Sequence, residues 1–229
     1  MIIEVIAEQA ADILEAEKMG ADRIELVSAM KEGGLTPSYG TLKTVLEQAT
    51  IPVQIMVRPH GYSFTYDETD WLTMKEDISV IKQLGGNRIV FGCITPEGKI
   101  DEELLTKVIE HVPDFDISFH RAFDEVSSQT EAYKVLCKYK KHVKRILTSG
   151  GKPTASEGAN NLRKLVELSK EMDGPDILPG SGVTPENIAT LHEQIGANQY
   201  HIGSGVRMEK DFSQGFDQEK MNQTIQVLK

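Results

Sequence analysis

Short hydrophobic runs alternate with amphipathic segments along the whole chain. The runs have the length and β-branched content of strands, and the segments between them carry apolar residues at helical spacing. In residues 8–19, for example, this spacing predicts the first helix. The pattern predicts eight strands at residues 2–6, 23–27, 52–58, 88–94, 116–120, 145–148, 176–178 and 199–202.

Eight strand–helix units repeat at a spacing of roughly 20 to 35 residues, which is typical of a small barrel of parallel strands. We therefore predict an α/β protein with one (β/α)8 TIM-type barrel domain over residues 1–229. An open doubly wound sheet is the alternative, but the first strand is not followed by the Gly-x-Gly-x-x-Gly turn of dinucleotide-binding folds. No linker or change of composition divides the chain.

The charge balance narrows the range of partners. The chain has 35 Asp and Glu against 25 Lys and Arg, a formal net charge of −10 that is spread along the sequence. This excess of acid argues against binding to nucleic acid or to an anionic membrane. The N-terminus lacks a basic region followed by an apolar run, and no segment is apolar for the length of a membrane span. We therefore expect a cytoplasmic protein, and Cys93 and Cys137 are too isolated to indicate a disulfide framework or a structural zinc site.

Two glycine-rich turns follow the last two predicted strands, in residues 177–187 and 201–206. Glycine permits positive φ and a close approach of the backbone to a ligand, and Thr184 followed by Pro185 predicts the start of a helix. Barrels of this type often hold phosphate after strands seven and eight. Glycine also serves merely to turn a short loop. The anion-binding residues predicted here are Gly180, Ser181, Gly182, Gly203, Ser204 and Gly205.

Polar residues are concentrated at the predicted strand ends, where a TIM barrel builds its active site. These residues are Glu4, Glu25, Arg58, His60, His120, Arg121, Asp124, Ser149 and His201. We predict Glu25, His120 and Glu4 as catalytic groups, and Arg58, Ser149, Gly150 and His201 as further contacts to the substrate. The alternative is structural, because a buried carboxylate must be paired. On that alternative the acids brace the barrel against basic residues, and Arg121 pairs with Asp124 across its turn.

No predicted strand ends in lysine, which argues against a Schiff-base aldolase of this fold. Acid and base chemistry by Glu or His remains, on a substrate whose anionic group contacts Arg58 and the glycine-rich turns. Such a site fits an isomerase or lyase that acts on a small phosphorylated or carboxylated metabolite.

Six motifs together resemble the CutC family of copper-homeostasis proteins. They are Arg23-Ile-Glu-Leu, Glu32-Gly-Gly-Leu-Thr-Pro-Ser38, Met56-Val-Arg-Pro59, Phe119-His-Arg-Ala-Phe-Asp124, Arg145-Ile-Leu-Thr-Ser-Gly-Gly151 and Pro179-Gly-Ser-Gly-Val183. The resemblance covers nearly the whole chain. It implies a TIM-type barrel, a cytoplasmic location, a role in copper homeostasis and assembly into a homo-oligomer.

The copper ligands that this resemblance calls for are scarce. Cu(I) prefers thiolate and thioether ligands, and imidazole also suits copper. Family members often have Cys directly after Arg-Ile-Glu-Leu, but this chain has Val27 there. The candidate ligands are Cys93, His120 and His201, whereas Cys137 and the scattered methionines have the spacing of core residues. Three hypotheses follow: control of copper homeostasis with weak copper binding, an enzyme for a small anion with only an indirect link to copper, or a noncatalytic metabolite-binding protein.

Overall fold

The computed structural model describes all residues from Met1 to Lys229, and eight strands alternate with eight helices along it. The strands are β1 (Ile2–Ala7), β2 (Arg23–Leu26), β3 (Val53–Met56), β4 (Arg88–Phe91), β5 (Asp116–Phe119), β6 (Val143–Thr148), β7 (Asp176–Pro179) and β8 (Gln199–Ile202). The helices are α1 (Ala10–Lys18), α2 (Tyr39–Gln48), α3 (Glu68–Gln83), α4 (Glu102–His111), α5 (Gln129–Cys137), α6 (Ala159–Met172), α7 (Ile188–Ile195) and α8 (Gln218–Leu228).

The strands form one parallel sheet in the order β7-β6-β5-β4-β3-β2-β1-β8. All seven pairings are parallel, and β1 pairs with both β2 and β8. β7 and β8 lie side by side without ladder hydrogen bonds, which leaves the barrel nearly closed. The predicted (β/α)8 TIM-type barrel is therefore confirmed.

The helices begin and pack as their sequences dictate. Ser38, Asp67, Asp101, Ser128 and Asp217 accept hydrogen bonds from backbone N–H groups in the first turns of their helices. These caps satisfy donors that a helix start leaves free. The apolar stripe of each helix is buried against the outside of the barrel in one continuous core. No helix combines the length and the apolar character that crossing a bilayer would require.

Four strands, β2 to β5, end earlier than their hydrophobic patterns predict, and in β3 and β5 this places predicted site residues on the rim. β3 ends at Met56, because the Arg58 N–H donates to Thr36 Oγ1 at 3.0 Å instead of continuing the ladder. β5 ends at Phe119, and the His120 ring turns back to accept from the Ala122 N–H at 3.1 Å. Arg58 and His120 therefore lie just beyond the carboxyl ends of their strands.

The predicted helix start at Thr184 is wrong. α7 begins at Ile188, and Thr184 lies one turn earlier, where its carbonyl oxygen accepts from the N–H groups of Asn187 and Ile188. Asn187 Oδ1 in turn accepts from the Thr184 N–H at 2.9 Å. This side-chain bond closes a separate turn before the helix, which extends the loop after β7.

Polar side chains inside the lower half of the barrel form two hydrogen-bonded clusters, which we call together the lower polar network. Its members are Glu4, Arg23, Asp116, Ser118, Arg145 and Gln199. The strand register sets Glu4 beside Arg23, with which it forms an ion pair. Arg23 also donates to Gln199 Oε1 at 2.6 Å. Arg145 donates to both carboxylate oxygens of Asp116, at 2.7 and 2.9 Å, so each arginine of this network has an acidic partner.

Candidate functional site

A cavity of about 430 Å³ opens at the carboxyl ends of the strands. Its wall includes four buried polar residues, Glu25, Arg58, His120 and His201, which we call the upper polar group. Apolar side chains of Ile6, Met30, Met56, Phe64, Leu147 and Phe212 cover much of the remaining wall. The volume lies in the range that small-molecule sites occupy.

A chain of close contacts connects the cavity wall to the lower polar network. His201 Nδ1 lies 2.7 Å from Glu4 Oε1, and His201 Nε2 lies 3.5 Å from Glu25 Oε2. The strand register explains the first contact, because Glu4 of β1 stands opposite His201 of β8. Glu25 is 3 % exposed, and its Oε1 has no hydrogen-bond partner. Ligand atoms of Glu4, Glu25 and His201 all lie within 4.8 Å of one another.

The two carboxyl groups differ in pKa because their partners differ. Burial opposes ionisation of Glu4, but the Arg23 charge and the His201 hydrogen bond outweigh it and lower its pKa to about 2. Glu25 has no such partner, so burial raises its pKa to about 7, against the attraction of His201. Burial also works against a charge on His201, yet Glu25 and Glu4 together raise its pKa. Near neutral pH, Glu25 can therefore gain or lose a proton, whereas Glu4 stays ionised.

Arg58 is 5 % exposed and carries its charge without an acidic partner. Its Nη1 donates to the carbonyl oxygens of Glu32 at 3.0 Å and Gly34 at 3.3 Å, and its Nη2 donates to Gly61 O at 2.9 Å. The guanidinium lies 4.5 Å from the ring centre of Phe64, and Nε has no partner. Backbone carbonyls thus hold the side chain in place but leave its positive charge uncompensated.

His120 lies on the same wall as a neutral imidazole. Burial, aided by the nearby Arg58 charge, lowers its pKa to about 3. Its Nδ1 accepts from the Ala122 N–H, so the proton of the neutral ring is on Nε2, which is buried and has no partner. A Cβ on Gly92 would lie 2.5 Å from Nδ1, so glycine is required there for the ring to fit.

The two glycine-rich turns meet at the opposite side of the cavity, where Gly182, Gly203 and Gly205 all line it. A Cβ on Gly205 would lie 2.3 Å from Val183 O, so only glycine lets the turns approach so closely. Ser181 and Gly182 both have positive φ, of 73° and 68°. Ser181 and Ser204 also line the cavity, whereas Gly180 lies behind it, against Leu147 and His201.

Besides Gly180, four residues predicted for the site lie outside the cavity wall. Glu4 is below it, engaged by Arg23 and His201. Ser149 and Gly150 belong to a separate turn, where Ser149 donates to Asp124 and Gly150 lines a second pocket. Cys93 is fully buried in the core, and its Sγ donates to Asp101 O at 3.4 Å. Burial raises the pKa of this thiol well above its usual range. The residues whose ligand atoms come together are Glu4, Glu25 and His201, and neither Cys93 nor His120 belongs to that group.

Several residues of the cavity wall were not predicted from sequence. Met30 and Met56 bring thioethers to the wall, and Phe64 comes from the loop after β3. Lys210 and Phe212 come from the segment after β8, which Arg207 anchors by a 2.9 Å bond to Asp12. The only sequence signal for any of them is the aromatic loop at residues 60–66, because isolated Met and Lys residues carry no pattern.

The turn after β5 confirms one structural alternative. Arg121 Nε donates to Asp124 Oδ2 at 2.8 Å, as expected for a pair across the turn. Asp124 also accepts from the N–H groups of Ser149 and Gly151. This carboxylate is therefore saturated by local bonds, and its partner Arg121, which also lines the cavity, is half-exposed.

Comparison with known proteins identifies relatives over most of the chain. The model of the CutC family matches residues 1–206. A CutC family protein of Klebsiella pneumoniae is 38% identical over 210 residues, which cover 92% of this chain and 83% of that protein. A copper homeostasis protein cutC homolog of Homo sapiens is 37% identical over 203 residues, covering 89% and 73%.

Solved structures agree with this result. The crystal structure of a CutC protein of Streptococcus agalactiae superposes with a TM-score of 0.81 at 30% identity, covering 89% of this chain and 98% of that one. Phosphoribosyl anthranilate isomerase of Thermococcus kodakaraensis has a TM-score of 0.67 at 15% identity, covering 100% and 98%. The second likeness is one of fold alone.

Proposed function

The chain belongs to the CutC family, and from this membership we propose that it takes part in copper homeostasis and binds copper weakly in the cavity through Glu25 and His201. The observation that carries the proposal is the buried group of Glu4, Glu25 and His201, whose ligand atoms lie within 4.8 Å of one another. Copper is here the bound cargo.

The donor atoms fit Cu(II) better than Cu(I). Imidazole nitrogen and carboxylate oxygen suit Cu(II), whereas Cu(I) prefers sulfur. His201 Nδ1 is engaged by Glu4, which leaves Nε2 for a metal beside Glu25 Oε2. The contact to Glu4 also fixes the orientation of the ring, as outer-sphere carboxylates do for metal-binding histidines.

Several features keep this binding weak. Only one imidazole and one carboxylate are free, because Glu4 is tied to Arg23. Both free groups must lose protons to bind a metal, and the pKa of Glu25 and of His201 are raised. No thiolate assists them, since Cys93 is buried away from the cavity and Cys137 lies on α5. Copper binding should therefore strengthen as the pH rises through about 7, where Glu25 loses its proton.

Titration of the metal-free protein with Cu(II), against a competing chelator, tests the proposed site. We expect Glu25→Gln and His201→Asn each to weaken binding by about tenfold or more, as loss of one ligand does. Asn at 201 can retain the contact to Glu4. The exposed Glu103→Gln serves as the matched acid control, and the Cys93→Ser, Cys137→Ser double variant should bind like the wild type.

The outcomes separate the two proposed ligand sets. Unchanged affinity in both Glu25→Gln and His201→Asn would contradict the proposal, as would loss of binding in the double cysteine variant. The role in cells is tested by growth under copper excess with and without the gene for this chain. We expect the wild-type gene to change copper tolerance and the His201→Asn gene to do so less.

A further inference from the structure

We propose that the same cavity is a binding site for a small organic anion with an apolar body, whose charged group lies between Arg58, Lys210 and the glycine-rich turns. This goes beyond the copper proposal, because it concerns different residues and needs no metal. It also assigns a use to the parts of the cavity wall that copper binding leaves unexplained.

The charge of the wall favours an anion. Arg58 donates only to carbonyl oxygens and has no ion-pair partner, although it is 5 % exposed. Burying a charge without a counter-ion is costly, so its position indicates a partner that arrives from outside the chain. Lys210, in the segment after β8, also forms no ion pair and lines the same cavity.

The turn after β7 adds backbone donors. Ser181 O accepts from the Ala155 N–H at 2.9 Å, and Gly182 O accepts from Asn187 Nδ2 at 2.8 Å. In a trans peptide the C=O and the following N–H point in opposite directions. Ser181 O faces the loop after β6 and Gly182 O faces Asn187 of its own loop, so the N–H groups of Gly182 and Val183 point away from these two partners, and neither donates to another group of the protein. Both residues line the cavity, so these donors are available to an anionic oxygen.

Buried polar atoms without partners provide the independent indication of a ligand. Arg58 Nε and His120 Nε2 are both unpartnered, and both residues line the cavity with at most 5 % exposure. Native proteins leave few such atoms unsatisfied. Both atoms carry hydrogen, so a ligand group that pairs with them must be a hydrogen-bond acceptor.

The rest of the wall describes the body of the ligand. Phe64 lies under the Arg58 guanidinium, and Phe212, Met56 and Leu147 complete an apolar lining. Small-molecule sites combine such a lining with a few fixed polar groups. A cavity of about 430 Å³ holds a compact molecule of one ring with one anionic substituent.

Calorimetric titration with phenyl phosphate, benzoate, inorganic phosphate and phenol tests this assignment, in EDTA so that copper plays no part. We expect phenyl phosphate or benzoate to bind at least about tenfold tighter than both inorganic phosphate and phenol, because only these two combine charge with a ring. Whichever of the two is tighter identifies phosphate or carboxylate as the preferred group. The proposal is overturned if inorganic phosphate, or phenol, binds as tightly as phenyl phosphate and benzoate do.

Variants locate the bound anion. Arg58→Gln should weaken binding of the preferred probe by about tenfold or more, since it removes a charge-assisted contact. Because Gln has only two N–H donors for the three carbonyls, Arg58→Gln also disturbs the loop. Lys210→Asn therefore provides a second variant, in which an exposed residue with a φ of 57° becomes one that tolerates this conformation. We expect a loss of about threefold there. Arg163→Gln on α6 is the control. The anion would lie elsewhere if Arg58→Gln bound the probe like the wild type and Lys210→Asn bound it like the control.

Failure of this proposal and failure of the copper proposal are distinguishable. Copper binding is measured by Glu25→Gln and His201→Asn, and anion binding by Arg58→Gln and Lys210→Asn in the absence of metal. Either pair of variants can give a negative result while the other gives the expected one.

Discussion

The lower polar network and the upper polar group lie in the same barrel, yet they differ in how their polar atoms are satisfied. Arg23 and Arg145 each pair with a carboxylate of the lower network. Arg58 of the upper group meets only carbonyl oxygens. Unpartnered atoms on Arg58, His120 and Glu25 are found in the upper group, and none belongs to a member of the lower network.

This difference distinguishes a structural network from the proposed binding site inside the same barrel. A buried ionic network contributes to a unique fold only when each member is satisfied, and the lower network meets that condition. The upper group does not, and functional sites are where such exceptions are expected. His201 belongs to the upper group but contacts Glu4, so it connects the cavity wall to the lower network.

The largest expected effect is in the lower network. Arg23→Leu leaves Glu4 buried with His201 as its only remaining partner, so we expect the free energy of unfolding to fall by about 3–5 kcal/mol. Urea denaturation followed by circular dichroism measures the change.

The matched control is the double variant Arg23→Leu, Glu4→Leu, which removes both charges. It should be more stable than Arg23→Leu alone, because no uncompensated charge remains. If the double variant is as unstable as the sum of the two single variants, the pair does not act as a buried ion pair and the contrast with Arg58 fails.

The fold could be predicted from the sequence because its signal is periodic. Each strand and helix repeats an apolar pattern, and the eight repeats define the barrel without knowledge of any single contact. Strand ends were less well defined, since Arg58 continues the β pattern although its backbone N–H and C=O bond to Thr36 instead of a neighbouring strand. The start of α7 was wrong for a related reason, because a side-chain bond from Asn187 to the Thr184 N–H closes a turn of its own.

The site could be predicted only in part. Glu25, Arg58, His120 and His201 were identified because strand-end polar residues converge in a barrel. Sequence does not show the height of a side chain within the barrel, so Glu4 was grouped with Glu25 although it lies below the cavity. It also does not show which loop folds back, which is why Lys210 and Phe212 were missed, or which side chain enters the core, which is why Cys93 was predicted as a copper ligand.

An effect of intermediate size is expected when the stability of Glu25→Gln is compared with that of the wild type over a range of pH. The pKa of Glu25 is raised from 4.5 to about 7, so between these values the folded state keeps a proton that the unfolded state has released. The free energy of unfolding of the wild type therefore falls as the pH rises through this window. Gln stays neutral and removes this slope.

We expect the stability of Glu25→Gln relative to the wild type to improve by on the order of 1–3 kcal/mol between about pH 5 and about pH 8. Urea midpoints in EDTA at each pH measure this. The raised pKa of His201 makes the wild type lose stability in the same direction, so some slope should remain in the variant. Parallel curves for the two proteins would show that Glu25 ionises in the folded state as readily as in the unfolded chain.

The smallest expected effect concerns His120. One of its ring nitrogens has a hydrogen-bond partner, like the atoms of the lower network, and the other has none, like the unpartnered atoms of the upper group. Nδ1 accepts from the Ala122 N–H, whereas Nε2 has no partner. Asn can supply an acceptor in place of Nδ1 but nothing in place of Nε2, so His120→Asn should cost less than about 1 kcal/mol. His120→Leu also leaves the buried Ala122 N–H unpaired and should cost about 1–3 kcal/mol. Urea denaturation at about pH 7.5 compares the two variants while the wild-type imidazole is neutral. If both variants lost the same free energy of unfolding, Nε2 would contribute to the stability of the fold, and His120 would then resemble the members of the lower network.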